Sequence, residues 1–177
     1  SRTILSELGL KPSEYVLVTL HRPSNVDTPE TLQEILSALS ELGKTWQVIF
    51  PLHPRTRERM RQWELEPTDI HFMEPLRYLD FLALEENAAF VLTDSGGVQE
   101  ETTFLGVPCL TARASTERPI TVTQGTNRLV ASNRRAILDA VSELNFRERR
   151  YPNPPDLWDG QAAERITEVM LHIAGGG

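Results

Sequence analysis

Short runs rich in β-branched and other apolar residues recur along the chain at residues 15–19, 47–50, 70–73, 90–93, 109–112 and, more weakly, 128–130, with helical periods between them. Runs this short and this continuously apolar read as strands buried on both faces rather than as half-exposed hairpins. Strands separated by helices join as parallel neighbours through crossovers, and those crossovers are right-handed. The alternation therefore predicts an α/β fold in which helices cover both faces of a parallel sheet.

Helices are expected over residues 29–42, 55–63, 78–87, 97–105, 133–144 and 161–173. The first is the best marked. Leu32, Ile35, Leu36, Leu39 and Leu42 fall on one stripe, as a core-facing helix requires. Thr28 is placed to cap it, Pro29 suits the first helical position, and Glu30 meets the positive end of the dipole. Gly43 and Gly106 fit helix stops. Residues 151–155 (YPNPP) read as a Pro-rich turn or linker, and residues 175–177 (GGG) as a frayed tail. The expectation is a single Rossmann-like, doubly wound domain over residues 1–174. The chain opens at Ser1, close to a helical pattern, and reads as a piece of something longer.

Composition narrows the function. A chain of 177 residues, 40% apolar and 24% charged, suits an ordinary globular domain with one core. Eighteen Lys and Arg against 25 Asp and Glu leave a net charge of −7. A protein that coats nucleic acid needs the opposite sign, so nucleic acid is not expected as a partner. An anionic small molecule remains compatible, given local Arg, His and backbone N–H groups. Cys109 is the single cysteine, so neither an intrachain disulfide nor a cysteine-based zinc site is available. Its apolar setting reads as a buried, inert thiol. No apolar stretch approaches the length that spans a bilayer, and the location expected is cytoplasmic.

In a sheet of this kind ligands bind beyond the carboxyl ends of the strands. That rule gathers scattered polar residues onto one rim: His21-Arg22 after the first strand, His53-Pro54-Arg55 after the second and Glu74-Pro75-Leu76 after the third. Asp94-Ser95-Gly96-Gly97 follows the fourth, and residues 113–118 the fifth. The sharpest segment is Asp94-Ser95-Gly96-Gly97-Val98-Gln99-Glu100-Glu101. The N–H groups of Ser95, Gly96, Gly97 and Val98 would stand unpaired at a helix start, and the glycines would let a phosphate approach. Its spacing is neither that of a P-loop nor of the dinucleotide fingerprint. On this segment alone, a capped strand–helix turn and a phosphate cradle are equal readings. Asp94 reads as an orienting or capping group, because a phosphate would repel it.

Glu100 and Glu101 point about 100° apart on a helix, so one of them can face a ligand; Glu101 is the choice, as acceptor for ribose hydroxyls. His21 can move a proton near neutral pH, and Arg22 supplies fixed charge with forked donors. His53 and Arg55 have weaker claims, since Arg55, Arg57, Arg59 and Arg61 also read as a solvated helix face. His71 and His172 read as structural. Arg118, before Pro119, belongs to a loop leading into a helix; its plain alternative is a surface ion pair with Glu117. Phe81 reads first as core packing and second as a flat partner for a base.

The run Asp94 to Glu101, followed by Leu105-Gly106-Val107-Pro108 and Thr116-Glu117-Arg118-Pro119, resembles the carboxyl-terminal half of the non-hydrolysing UDP-N-acetylglucosamine 2-epimerases. The similarity extends back through Thr19-Leu20-His21-Arg22 and Pro51-Leu52-His53-Pro54 and forward to Gly125-Thr126-Asn127. The resemblance implies the second Rossmann-like domain of a glycosyltransferase-B arrangement, holding UDP or a UDP-N-acetylhexosamine with no metal or redox cofactor. It implies that Ser95 and the N–H groups of Gly96 and Gly97 hold phosphate, Glu101 the ribose, Arg118 the diphosphate side, and the Leu76 backbone and Phe81 side chain the uracil. His21 would lie near the reacting sugar or pyrophosphate, while Arg22 and His53 match a second, regulatory site in bacterial relatives. The family commonly continues His-Arg with Arg-Glu-Asn, where this chain has Pro23-Ser24-Asn25. The reaction implied is elimination of UDP to a glycal and re-addition on the opposite face, with the acids and bases acting at sugar C2 contributed by an amino-terminal half. Members usually dimerise through contacts that belong largely to that half, so a chain like this one is compatible with a monomer. A sugar-nucleotide glycosyltransferase, a hydrolysing epimerase and a non-catalytic nucleotide sensor are the alternatives that share such a rim.

Overall fold

In the computed structural model, which describes residues 4–144 and 154–175, the chain runs α1 (Ile4–Leu8), β1 (Tyr15–Thr19), α2 (Pro23–Val26), α3 (Pro29–Gly43), β2 (Gln47–Pro51), α4 (Pro54–Gln62), β3 (His71–Met73), α5 (Tyr78–Asn87), β4 (Phe90–Thr93), α6 (Gly96–Leu105), β5 (Cys109–Ala112), α7 (Pro119–Thr123), β6 (Asn127–Val130), α8 (Arg134–Ser142) and α9 (Ala162–Gly175). The strands form one sheet in the order β3-β2-β1-β4-β5-β6, and every neighbouring pair is parallel. The α/β, Rossmann-like expectation is met.

The alternation of side chains along β1 shows how both faces are covered. Val16, Val18 and Leu20 enter a core layer with Leu32, Ile35, Leu36 and Leu39 of α3 and Ile137, Ala140 and Val141 of α8. Tyr15 and Leu17 enter the opposite layer with Leu5 of α1, Leu84 of α5 and Val98 of α6. Burying a side chain such as Leu17 completely contributes about 2 kcal/mol. The Tyr15 hydroxyl, fully buried, donates to the Leu84 carbonyl at 2.5 Å, which satisfies its polar end.

Strand order fixes where a ligand can sit. From β1 the chain builds outward to β2 and β3, then returns to β4 on the other side and continues to β5 and β6. Loops leaving β1 and β4 therefore diverge, and a crevice opens between them at the carboxyl ends. Thr19 is paired with Thr93 across that boundary, so the segments starting at Leu20 and Asp94 leave the sheet side by side.

Several local expectations shift. Helices α4 and α6 each begin one residue earlier than expected, at Pro54 and Gly96, and the short helix α2 was not foreseen. Thr28 occupies the cap position of α3, but its side chain makes no capping hydrogen bond. Gly106 is left-handed, with φ of 70°, as a helix stop demands. Gly43 is not such a stop: it is the last residue of α3, and a Cβ there would land on the backbone oxygen of Asp69. Its role is close approach of chain to chain. Gly175, expected in the tail, lies in α9, while residues 176–177 and residues 151–153 of the Pro-rich stretch are outside the described residues. Ile166, Val169, Met170, Leu171 and Ile173 of α9 are exposed.

The Gly43 finding separates two effects of opposite sign. Alanine is favoured over glycine in a helix by about 1 kcal/mol, whereas overpacking against backbone costs about 1–3 kcal/mol. Gly43→Ala is expected to lower the urea-derived unfolding free energy; equal or greater stability would contradict the close approach.

Candidate functional site

The rim is organised by Asp94, the residue after β4, whose side chain is fully buried. Its carboxylate accepts from the backbone N–H of His21 at 3.2 and 3.1 Å and of Arg22 at 2.9 Å. Asn25 Nδ2 donates to it at 3.0 Å, and His21 Nδ1 lies 3.1 Å from Oδ1. Burial alone would push the Asp94 carboxyl up; the hydrogen bonds from His21, Arg22 and Asn25 outweigh it and hold the group below its ordinary value. The orienting role expected for Asp94 is met, and its partner is the imidazole. Asn25 was missed. Buried on α2, it also donates to the Ala112 carbonyl at 3.0 Å and accepts from Ser132 Oγ at 2.7 Å. Its position four residues past His21 gave no separate signal.

The hydrogen bond to Asp94 raises the pKa of His21, against burial and the nearby charge of Arg22. With Nδ1 engaged, Nε2 is the nitrogen left to work, and the imidazole is biased toward its charged, proton-donating form. Asp-oriented histidines of this kind act as proton donors or stabilise a developing anion. The His53 ring lies 5.9 Å from the His21 ring. His53 Nδ1 accepts from the Arg55 N–H at 3.2 Å and so caps α4. Arg22 Nε donates to the Asp94 carbonyl at 3.0 Å, and Arg22 Nη1 stands 3.8 Å from Glu117. Arg55 and Arg59 both pair with Asp27, which turns that end of the basic helix face back onto the protein.

At the start of α6 the expected row of free amides is one shorter. Ser95 N–H donates to Thr93 Oγ1 at 3.0 Å. The next three, on Gly96, Gly97 and Val98, belong to the first turn, where an α-helix leaves N–H groups unpaired. Neither Gly96 nor Gly97 has positive φ, and a Cβ on Gly96 would meet nothing within 4 Å; one on Gly97 would meet only Ser95 Oγ, at 3.9 Å. Among the described residues neither packing nor backbone geometry requires glycine here. Absent side chains at these two positions leave the first turn of the helix open to approach, and a helix N-terminus is where an anion binds.

Glu100 and Glu101 divide as adjacent helical positions must. Glu100 pairs with Arg118 at 2.8 Å, and Glu101 accepts from the Tyr78 hydroxyl at 2.9 Å. Glu117 is held instead by Arg113 through two 2.7 Å hydrogen bonds, which bring its carboxyl down to about 2. Arg118 begins α7 as its cap residue, and its N–H donates to Thr116 Oγ1 at 2.9 Å. Thr116 in turn donates to Gln99 Oε1 at 2.5 Å, fastening this loop to α6. Leu76 and Phe81 are partly buried and pack against the core layer that includes Leu84 and Val98. Beside Glu101 an open groove of about 490 Å³ is lined by Tyr78, Leu82, Phe104, Leu105 and Trp158. The Cys109 thiol, fully buried, is pushed up to about 12 and is inert. Among the described residues no three His, Cys, Asp or Glu side chains gather as a metal site, and no helix is long and apolar enough to cross a membrane.

Removing the buried charge should be felt in two places. Asp94→Asn is expected to lose about 3 kcal/mol of stability by chemical denaturation, and the His21 ring to titrate at lower pH by NMR. The sign follows from the raised pKa: the stabilisation from the pair is fully present below the ordinary histidine value and fades as pH rises through the higher folded value. An unchanged His21 titration in the variant would contradict the pairing.

Comparison with known proteins places this geometry. The family described as UDP-N-acetylglucosamine 2-epimerase matches residues 1–171. The UDP-N-acetylglucosamine 2-epimerase of Methanocaldococcus jannaschii is 41% identical over 166 residues, 90% of this chain and 45% of the relative. A Pseudomonas aeruginosa UDP-2,3-diacetamido-2,3-dideoxy-D-glucuronate 2-epimerase is 36% identical over 170 residues, 95% of this chain and 48% of the relative. The crystal structure of the M. jannaschii UDP-GlcNAc 2-epimerase in complex with UDP-GlcNAc and UDP superposes with a TM-score of 0.83 and 38% identity, covering 97% of this chain and 49% of that one. The chain spans about half the length of the relatives it matches. It belongs to the UDP-N-acetylglucosamine 2-epimerase family.

Proposed function

We propose that this chain is the UDP-binding half of a UDP-N-acetylglucosamine 2-epimerase, interconverting UDP-GlcNAc and UDP-ManNAc by elimination and re-addition of UDP. The observation that carries the reading is the start of α6 at the switch point of the sheet: Gly96, Gly97 and Val98 are its first-turn residues, whose N–H groups have no partner within a helix, and a Cβ on Gly96 would meet nothing within 4 Å. Here the Gly96, Gly97 and Val98 amides take the phosphate, with the Ser95 hydroxyl beside them. Arg118, steered by Glu100, adds charge to the diphosphate side, and Glu101 accepts from the ribose hydroxyls. Leu76 and Phe81 frame the uracil. Arg22 and His53 border His21 where a regulatory nucleotide-sugar would bind.

His21 has a definite part in this scheme. Breaking the bond between the sugar and UDP leaves negative charge on the departing diphosphate, and an imidazole biased toward its charged form meets that charge or protonates the oxygen that bears it. The same bias makes it a poor base for the weakly acidic proton at C2. Those bases belong to an amino-terminal domain of the enzyme.

Calorimetric titration tests the binding half. UDP should bind saturably, ADP more weakly and uridine not measurably, and Arg118→Ala should weaken UDP by roughly tenfold, as for loss of a charged hydrogen bond. NMR of UDP-GlcNAc incubated with the chain alone should show no UDP-ManNAc. Equal binding of uridine and UDP would remove the phosphate site, and turnover by the chain alone would remove the division of labour.

A further inference from the structure

Glu85 of α5 has no place in the scheme above, and its setting is unusual. It is fully buried, and neither carboxyl oxygen has a hydrogen-bond donor among the described residues. A carboxylate stripped of both water and donors is too unfavourable to persist. Glu101 on the packed neighbour α6 acts on it by charge and hydrogen bonding, and Tyr78 on its own helix and Cys109 on β5 feel its charge. The Tyr78 hydroxyl already donates its hydrogen bond to Glu101, Cys109 is a neutral thiol, and no Lys or Arg contributes. Two acceptor groups facing one another without a cation are satisfied only when one carries a proton. The deeper group keeps it: burial first, then the charge of Glu101, pushes the Glu85 carboxyl up to about 9.

We propose that Glu85 is a positioning residue for Glu101, a neutral carboxylic acid whose O–H donates to Glu101 from the protein side while Tyr78 donates to it from the solvent side. Held between two donors, Glu101 is fixed in orientation with lone pairs left for ribose hydroxyls; this consequence rests on the nucleotide reading above. When Glu85 ionises, the donor is replaced by a like charge, and Glu101 is pushed from its place. Ribose recognition by this chain therefore has an alkaline limit set from behind the site. The linkage has a definite sign. Because the folded value lies above the unfolded one, the folded state binds the extra proton, and stability falls as pH rises from the ordinary carboxylate range toward 9.

The test combines carboxyl titration with nucleotide binding. In the glutamate-¹³C-labelled chain one carboxyl resonance should remain protonated through neutral pH, vanish in Glu85→Gln, and titrate at lower pH in Glu101→Gln. By calorimetry, the preference for UDP over 2′-deoxy-UDP should fall about three- to tenfold between pH 7 and pH 9.5. Glu85→Gln, whose amide donates at every pH, should keep the preference at both values, and Glu85→Leu should lack it at both. Glu85→Gln should also gain stability over the parent chain, by a margin that widens from pH 5 to pH 9. A Glu85 carboxyl titrating in the ordinary range, or a full ribose preference in Glu85→Leu, would overturn the proposal. Failure of UDP to bind the parent chain would overturn the nucleotide reading and the ribose consequence with it. The Glu101→Gln shift decides the shared proton independently.

Discussion

A fully buried carboxylate must be surrounded by donors or it will not stay charged. Asp94 meets that requirement with groups from a different part of the chain: two backbone N–H groups and an imidazole from the segment after β1, and the amide of Asn25. The arrangement exists because β1 and β4 are neighbours in the sheet, so the order of the strands and the burial of the charge depend on each other. Asn25 extends the network to the end of β5 through the Ala112 carbonyl and to Ser132 just past β6. One carboxylate thus gathers the ends of the central strands, orients His21 and leads directly into α6. Fold and site share this interaction.

A second network, under α6, positions the rest of the rim. Gln99 Oε1 accepts from Thr116 and, at 3.3 Å, from Asn127 Nδ2, and Asn127 Oδ1 accepts from Thr111 at 2.6 Å. These bonds bind α6 to β5, β6 and the loop that carries Arg118. The protein is acidic overall, with a charge of −7, yet the carboxylates nearest the rim are engaged. Arg113 holds Glu117, Arg118 holds Glu100, and Asp94 is enclosed. What remains facing outward is the positive end of a helix beside a histidine biased toward its charged form. Local geometry, rather than net charge, makes the crevice receptive to an anion.

The layering and the strand positions were legible in the sequence, because continuous apolar runs and helical stripes are set by burial, and burial dominates the energetics. The rim was legible too: parallel strands place their carboxyl ends together whatever their order. Strand order was not written in any local pattern, so nothing in the sequence paired His21 with Asp94, although both were assigned to the same edge. Residues whose function comes from a distant partner were missed for the same reason. Asn25 is such a case, as are Tyr78, which reaches Glu101 across 23 positions, and the buried Glu85. Gly43 was misread because a helix-stopping glycine and a glycine under close backbone approach look alike until Asp69 is in place.

The central claim is that an anion sits on the Gly96–Val98 amides at the β1/β4 crevice. Backbone amide NMR of the chain during UDP titration reads those groups directly. The account predicts the largest shifts at Gly96, Gly97 and Val98, smaller ones at His21, Glu101 and Arg118, and none at the opposite edge around Lys11 and Trp46. Saturation with UDP that leaves the three α6 amides unmoved, or that moves the opposite edge instead, would contradict it.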